Sequence, residues 1–207
     1  DYWVNSIISD EHDNIWFSHS HYGLGSLRIS DSKVTFFNSF RNKNFPIGFS
    51  TDVCVTNDGS IYFTILGEGV WRLKNPFTTR EEMFNYDQTN GLPFDMVRFV
   101  HEDQQNNIWF FSGNGISLFD PGSATSKNFS DADGLKSKNV TARPYEDGNG
   151  LIYIGFNKAF QAFQPDSLAR NKIHTYKFIV HDFKVNNVRC PSNVNFTHEG
   201  RLKPPQN

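Results

Sequence analysis

Apolar and polar positions follow one pattern that recurs four times along the chain. In each copy, a residue that tolerates positive φ precedes a short apolar run by two positions, and a loop and a second apolar run follow. The first runs begin at Ile15, Ile61, Ile108 and Ile152, at intervals of 46, 47 and 44 residues. The preceding turn residues are Asp13, Gly59, Asn106 and Gly150. Residues of these types form tight hairpin turns, and a period in the forties built from short strands predicts four-stranded β-propeller blades.

The same register repeats large aromatic residues. The position after each isoleucine holds Trp16, Tyr62, Trp109 or Tyr153. One blade cannot bury both of its faces, so blades must stack around an axis with the same side chains inward. We therefore predict that these four aromatic residues form the repeated structural core.

Carboxylates recur five positions before the isoleucine. They are Asp10, Asp103 and Asp147, whereas the second copy has Thr56 there and an acid at Asp58. A carboxylate that opens a turn can accept backbone N–H hydrogen bonds, so we interpret these residues as turn formers rather than as catalysts or ligands.

The predicted fold class is all-β, with β-propeller repeats over residues 1–170 and about four blades belonging to a larger propeller. Only the short stretch TTREEMFN, residues 78–85, has a weak helical pattern. Four blades could close a ring. We expect instead an open arc, or one that pairs with something to protect its edges.

Composition narrows the possible functions. Aromatic residues make up 15% of the chain, enough for a substantial core. The formal net charge is −2, so the chain has no basic excess to bind nucleic acid or an anionic membrane. No apolar stretch reaches the roughly 20 residues that a membrane span needs. Cys54 and Cys190 are too few for a disulfide scaffold, and we interpret both as small buried or half-buried thiols. The abrupt start at Asp1 leads us to expect a segment of a longer protein.

The loops between the two apolar runs of each copy vary in chemistry, and such loops often carry function on a rigid scaffold. His19 and His21 would face the same side of an extended strand, but no third metal ligand is identifiable. We predict no metal site and no cofactor. The predicted ligand-binding residues are His19, His21, Tyr22, Glu68, Asn114 and Lys158. Arg28 and Arg72 follow the loops, and we expect them to pair with a neighbouring blade.

The repeated phrase resembles the two-component regulator propeller repeats of periplasmic sensor regions in hybrid histidine kinases. The matching features are the turn followed by Ile-Trp-Phe, the glycine before the second run, and the Asp-Gly-Leu of residues 133–135. They cover residues 4–166. The stretch that begins PDSLARNKIHTYKF at Pro165 looks like the junction to the Y-Y-Y module, a β-sandwich. Residues 171–207 would then be the truncated N-terminal part of that module, with Ile179, Phe183 and Val185 on one strand face.

The resemblance implies an extracytoplasmic, non-catalytic segment of a membrane-bound receptor. Such propellers are associated with saccharides or other nutrients. The expected partner is a small-molecule or oligosaccharide ligand, with a homodimer in the parent receptor and the membrane reached only through segments outside this chain. Two alternatives stay open: an enzyme on a propeller, such as a polysaccharide lyase or hydrolase, and a protein-interaction scaffold.

Overall fold

The computed structural model describes residues 2–157, 159–169, 184–185 and 188–189. The chain divides into two units, 1–174 and 175–207. In the first unit, consecutive antiparallel strands form four small sheets arranged around one axis. The all-β propeller class predicted from the repeats is therefore confirmed.

Each of the first three sheets is a four-stranded blade in simple meander order. Blade 1 contains β1 (Val4–Ser9), β2 (Asn14–His19), β3 (Gly23–Arg28) and β4 (Lys33–Phe37). Blade 2 contains β5 (Val53–Val55), β6 (Ile61–Ile65), β7 (Gly69–Lys74) and β8 (Glu82–Tyr86). Blade 3 contains β9 (Val97–Glu102), β10 (Ile108–Ser112), β11 (Ile116–Asp120) and β12 (Thr125–Phe129).

Blade 4 has three strands among the described residues: β13 (Val140–Glu146), β14 (Ile152–Phe156) and β15 (Phe160–Phe163). The short helix α1 (Pro165–Ala169) follows, and two single-turn 3-10 helices cover Ile29–Asp31 and Asp131–Asp133. In the second unit, β16 (Lys184–Val185) pairs antiparallel with β17 (Val188–Arg189). The predicted sandwich strand of Ile179 and Phe183 lies outside the described residues.

The first hairpin turn of every blade has the backbone that the sequence predicts. The residue two positions before each isoleucine has positive φ, between 60° and 76°, at Asp13, Gly59, Asn106 and Gly150. The carboxylate of Asp103 accepts hydrogen bonds from the backbone N–H groups of Gln105 and Asn107, both at 2.9 Å. Asp10 and Asp147 accept equivalent pairs. These aspartates are turn formers.

Three apolar clusters fill the spaces between neighbouring blades. Trp16 packs with Leu24, Phe37 and residues of blade 2, Tyr62 packs against blade 3, and Trp109 packs against blade 4. All three aromatic residues are at most 1% exposed. Burying this repeated face is the main force that stacks the blades.

Tyr153 departs from this pattern. It is only partly buried, because its face of blade 4 meets no further blade among the described residues. Tyr145 beside it is 66% exposed, and on the outward face of blade 1 Ile7 is 62% exposed. Across the axis, Arg143 of β13 donates hydrogen bonds to the Ser6 hydroxyl at 2.8 Å and to the Val53 carbonyl at 3.0 Å.

One local prediction is corrected by the structure. The stretch 78–85 is not helical, since β8 occupies Glu82–Tyr86 and pairs with β7. Exposed and more buried side chains alternate along β8, as expected for an outer strand with one face towards solvent. Cys54 is buried as expected, and burial raises the pKa of its thiol to about 12. Cys190 lies outside the described residues.

Candidate functional site

The predicted ligand loops join the second and third strands of their blades, so they lie at the same end of each blade. His19, His21 and Tyr22 surround the loop of blade 1, and Glu68 and Asn114 are exposed on the loops of blades 2 and 3. Lys158, in the loop of blade 4, lies outside the described residues. The structure thus places the described members at one end of the propeller, but only those of blade 1 touch each other.

Aromatic side chains gather around the loop of blade 1. The His19 and Tyr22 rings stack with centroids 5.0 Å apart. Tyr2 lies 5.2 Å from the His21 ring and 5.9 Å from the Tyr22 ring. We call this group the aromatic cluster, and its members are Tyr2, His19, His21, Tyr22, Phe36 and Phe40.

Three members of the aromatic cluster do not belong to the loop itself. Phe36 comes from β4 and packs on Tyr22 with ring centroids 5.1 Å apart. Tyr2 is held by the N-terminal strand, where Trp3 and Ser20 exchange hydrogen bonds of 3.0 Å. Phe40 follows β4 and is 78% exposed. Sequence reasoning missed these residues because strand pairing, not sequence proximity, brings them to the loop.

His19 organises this loop through an acceptor nitrogen. Its Nδ1 accepts hydrogen bonds from the backbone N–H groups of His21 and Tyr22, both at 3.1 Å. That role requires an unprotonated Nδ1. Burial and the neighbouring charge of His21 both lower the pKa of His19. No group of three or more His, Cys, Asp or Glu side chains suited to a metal exists within the described part of the chain.

The aromatic cluster borders an open depression of about 510 Å³, lined by Tyr22, Phe36, Asn38, Phe40 and Arg41. The Arg41 guanidinium pairs with both carboxylate oxygens of Glu81 in blade 2, at 2.6 and 2.9 Å. Its charge is therefore already compensated. The depression offers ring faces and an amide with little net charge, a surface that suits a neutral ligand with apolar faces and polar edges.

A second repeated arrangement occupies the opposite end of the blades, where the first and second strands meet. The Trp16 and Trp109 indoles donate to Asp10 and Asp103 at 2.8 and 2.7 Å. Burial alone would raise the pKa of Asp10, but its hydrogen bonds from Trp16 and Asn14 outweigh burial and lower it. These contacts are structural, since each carboxylate is saturated by its own turn and indole.

The ion pairs of the two arginines that follow the loops lie within their own blades, although the Arg28 guanidinium carbon also lies 5.7 Å from the ring centroid of Phe77 in blade 2. Arg28 pairs with Asp31 of its own blade, and Arg72 donates to Asp58 of its own blade at 2.6 Å. The reason is distance along the sheet, because each partner carboxylate belongs to a turn beside the strand that carries the arginine. Arg41 instead connects blades 1 and 2 through its ion pair with Glu81.

No family model matches the chain. Solved structures share its fold. The extracellular domain of a hybrid two-component system from Bacteroides thetaiotaomicron superposes with a TM-score of 0.67 and 22% identity, covering 91% of this chain and 26% of that one. The chain folds like a segment of a two-component sensor's extracellular domain. A second domain, from a one-component system of the same organism, gives a TM-score of 0.65 at 17% identity over 79% of this chain and 23% of that one.

The sequence comparison found similarity to a histidine kinase. A curated relative, Histidine kinase P4 of Formosa agariphila, is 27% identical over 110 residues, which is 50% of this chain and 8% of the kinase. The propeller fold is also shared with an enzyme, the virginiamycin B lyase of Staphylococcus aureus, at 14% identity and a TM-score of 0.59 over 80% of this chain and 54% of that one. In the described part of this chain, no helix is long and apolar enough to cross a bilayer.

Proposed function

We propose that this chain is an extracytoplasmic ligand-sensing segment of a membrane-bound hybrid two-component histidine kinase, and that its ligand is a saccharide or a similar nutrient. The aromatic cluster carries the proposal. Tyr2 and Phe40 present largely exposed rings, at 66% and 78%, beside a depression in which the nearest arginine is already paired. Sugar rings have apolar faces and hydroxylated edges, and flat aromatic rings next to an amide match both.

The mechanism is binding rather than chemistry. Tyr22 and Phe36 support the site from the sheet, and His19 holds the loop by its two hydrogen bonds. A ligand seated there would favour the arrangement of the receptor that it binds best, and so shift the population of a homodimer towards one kinase state. The extracellular origin of the structural neighbours supports this placement.

The test is a glycan array probed with the purified 207-residue chain, followed by calorimetric titration of the saccharides that bind. We expect Phe40→Ala and Tyr22→Ala to weaken binding at least tenfold, about the loss of one well-placed aromatic contact. Phe84→Ala is the matched control, because Phe84 is 39% exposed on the outer strand of blade 2, away from the aromatic cluster.

Two results would refute the proposal. Equal loss of binding in Phe84→Ala and Phe40→Ala would show that the aromatic cluster is not the binding surface. Cleavage of a bound saccharide by the unmodified chain, seen as new reducing ends or unsaturated products, would favour the lyase or hydrolase alternative instead.

A further inference from the structure

Blade 2 lacks a hydrogen bond that the other three blades share. In blades 1, 3 and 4, the polar hydrogen of the repeated aromatic residue is donated to the aspartate that opens the same turn, at 2.8, 2.7 and 3.3 Å. In blade 2, that position is Thr56, and its hydroxyl donates to Asp58 at 2.6 Å. Tyr62 therefore lacks the carboxylate partner that its equivalents have.

The Tyr62 hydroxyl has no hydrogen-bond partner among the described residues, and the residue is only 1% exposed. Burial raises the pKa of Tyr62, so the hydroxyl stays protonated and is available as a donor. A buried hydroxyl without a partner is costly, and in native proteins it calls for an explanation such as a bound molecule.

Tyr62 lines a cleft of about 320 Å³ between blades 2 and 3, near the lower limit of small-molecule sites. Ile108 and Pro121 supply apolar lining. The blades are joined beside the cleft by Asn57, whose backbone N–H donates to Glu102 at 2.8 Å and whose side chain donates to Asn106. The cleft is thus lined by both apolar and polar groups, and hydrogen bonds join the two blades beside it.

The charges around the cleft disfavour an anion. Arg72 donates to Asp58 at 2.6 Å and to the Ser60 hydroxyl at 3.1 Å, and its guanidinium carbon lies 5.3 Å from the Tyr62 ring centroid. This cation is already neutralised by Asp58. Glu102 adds a further acceptor, and burial raises its pKa. A neutral molecule that offers several hydroxyl donors and can accept from Tyr62 fits this set best.

We propose that the cleft between blades 2 and 3 is a binding site for a small neutral polyol, of about the size of a monosaccharide, anchored by a hydrogen bond from the Tyr62 hydroxyl. The site is separate from the aromatic cluster. Its turn, residues 56–60, joins β5 to β6, whereas the ligand loops join the second and third strands at the opposite end of each blade.

The experiment is a titration of the 207-residue chain with D-glucose and with myo-inositol, followed by nitrogen-15 NMR of the Arg72 Nε–H and the Asn106 side-chain amide. We expect saturable shifts of both signals with at least one of the two polyols. Tyr62→Phe keeps the ring and removes only the hydroxyl, and we expect it to weaken binding roughly fivefold or more. Pro121→Phe, which places a larger side chain at another lining position of the cleft, should also reduce binding.

Controls separate this site from the aromatic cluster. Phe40→Ala should leave the polyol shifts of Arg72 and Asn106 unchanged, and Tyr62→Phe should leave glycan-array binding unchanged. The proposal is overturned if neither polyol moves the two signals, or if Tyr62→Phe and Pro121→Phe both bind like the unmodified chain.

Discussion

The indole Nε1–H of Trp109 donates a hydrogen bond of 2.7 Å to the carboxylate of Asp103, which also holds its own hairpin turn. This contact ties the turn that opens β10 to the apolar core between blades 3 and 4. The same pair, Asp10 with Trp16, recurs in blade 1. The repeated aspartate therefore couples local chain reversal to burial of the repeated aromatic residue.

Asp103→Asn should destabilise the fold. The substitution replaces one carboxylate oxygen by an amide nitrogen. One of the N–H groups that now donate to Asp103 therefore loses its acceptor in a buried site. We expect a loss of about 1–3 kcal/mol in the free energy of unfolding, measured by urea titration. Asp13→Asn is the control, because Asp13 is exposed and asparagine tolerates its positive φ. Equal losses in both variants would contradict the buried-pair explanation.

Arg41→Lys should weaken the connection between blades 1 and 2. The guanidinium makes a two-point pair with Glu81 and lies 4.4 Å from the Phe37 ring centroid, and an ammonium group reproduces neither geometry. Because Arg41 is about one-third exposed, solvent screening limits the expected loss to about 0.5–1 kcal/mol of unfolding free energy. Arg28→Lys should cost less, because the Asp31 partner of Arg28 lies in the same blade and its approach to Phe77 of blade 2 is a longer ring contact of 5.7 Å. A larger loss for Arg28→Lys would argue against an interblade role of Arg41.

Gly69→Ala should be far more damaging than Gly59→Ala. Both glycines have positive φ, 82° and 76°, which costs an alanine roughly 1–2 kcal/mol. A Cβ on Gly59 would meet nothing within 4 Å, whereas one on Gly69 would lie 2.1 Å from the Tyr86 carbonyl oxygen of β8. We therefore expect Gly69→Ala to lose more than about 3 kcal/mol by thermal or urea unfolding. Similar values for the two variants would show that backbone conformation alone sets the cost.

Saccharide binding at the aromatic cluster should weaken in mild acid. The folded-state pKa of His19 lies below its ordinary value near 6.5, so folding favours the neutral imidazole. Neutral His19 therefore contributes its full share of the free energy of unfolding at pH values above the ordinary histidine pKa. That contribution is lost as the pH falls through the lower pKa of the folded state. Protonation of Nδ1 would also break the hydrogen bonds from His21 and Tyr22.

His19→Asn tests this pH dependence, because an amide oxygen can accept the same backbone hydrogen bonds without titrating. We expect the variant to fold normally and to show a flatter dependence of binding and unfolding free energy on pH between roughly 7 and 5, the range of an ordinary or lowered histidine pKa. An unchanged pH profile in His19→Asn would assign the titration to another group.

The sequence alone determined the repeat and its local chemistry. The spacing of the isoleucines, the positive-φ residues before them and the aspartate at Asp103 all act within one hairpin, where neighbours in sequence are neighbours in space. The buried state of Trp16, Tyr62 and Trp109 also followed, because stacked blades must bury the same face. Tyr153 carries the same pattern but not the same burial, since burial depends on the blade packed against it.

Which side chains contact each other depends on how the blades pack in the folded chain. Strand pairing and chain reversal bring Tyr2, Phe36 and Phe40 into contact with Tyr22. Arg41 pairs with Glu81, which lies forty residues away in the next blade. The Tyr62 hydroxyl has no hydrogen-bond partner among the described residues because Thr56 stands where the other blades have aspartate. Its position beside a cleft between two blades follows only from the packing of those blades. A repeat pattern encodes each blade through short-range contacts, whereas contacts between distant parts of the chain depend on how the folded elements pack.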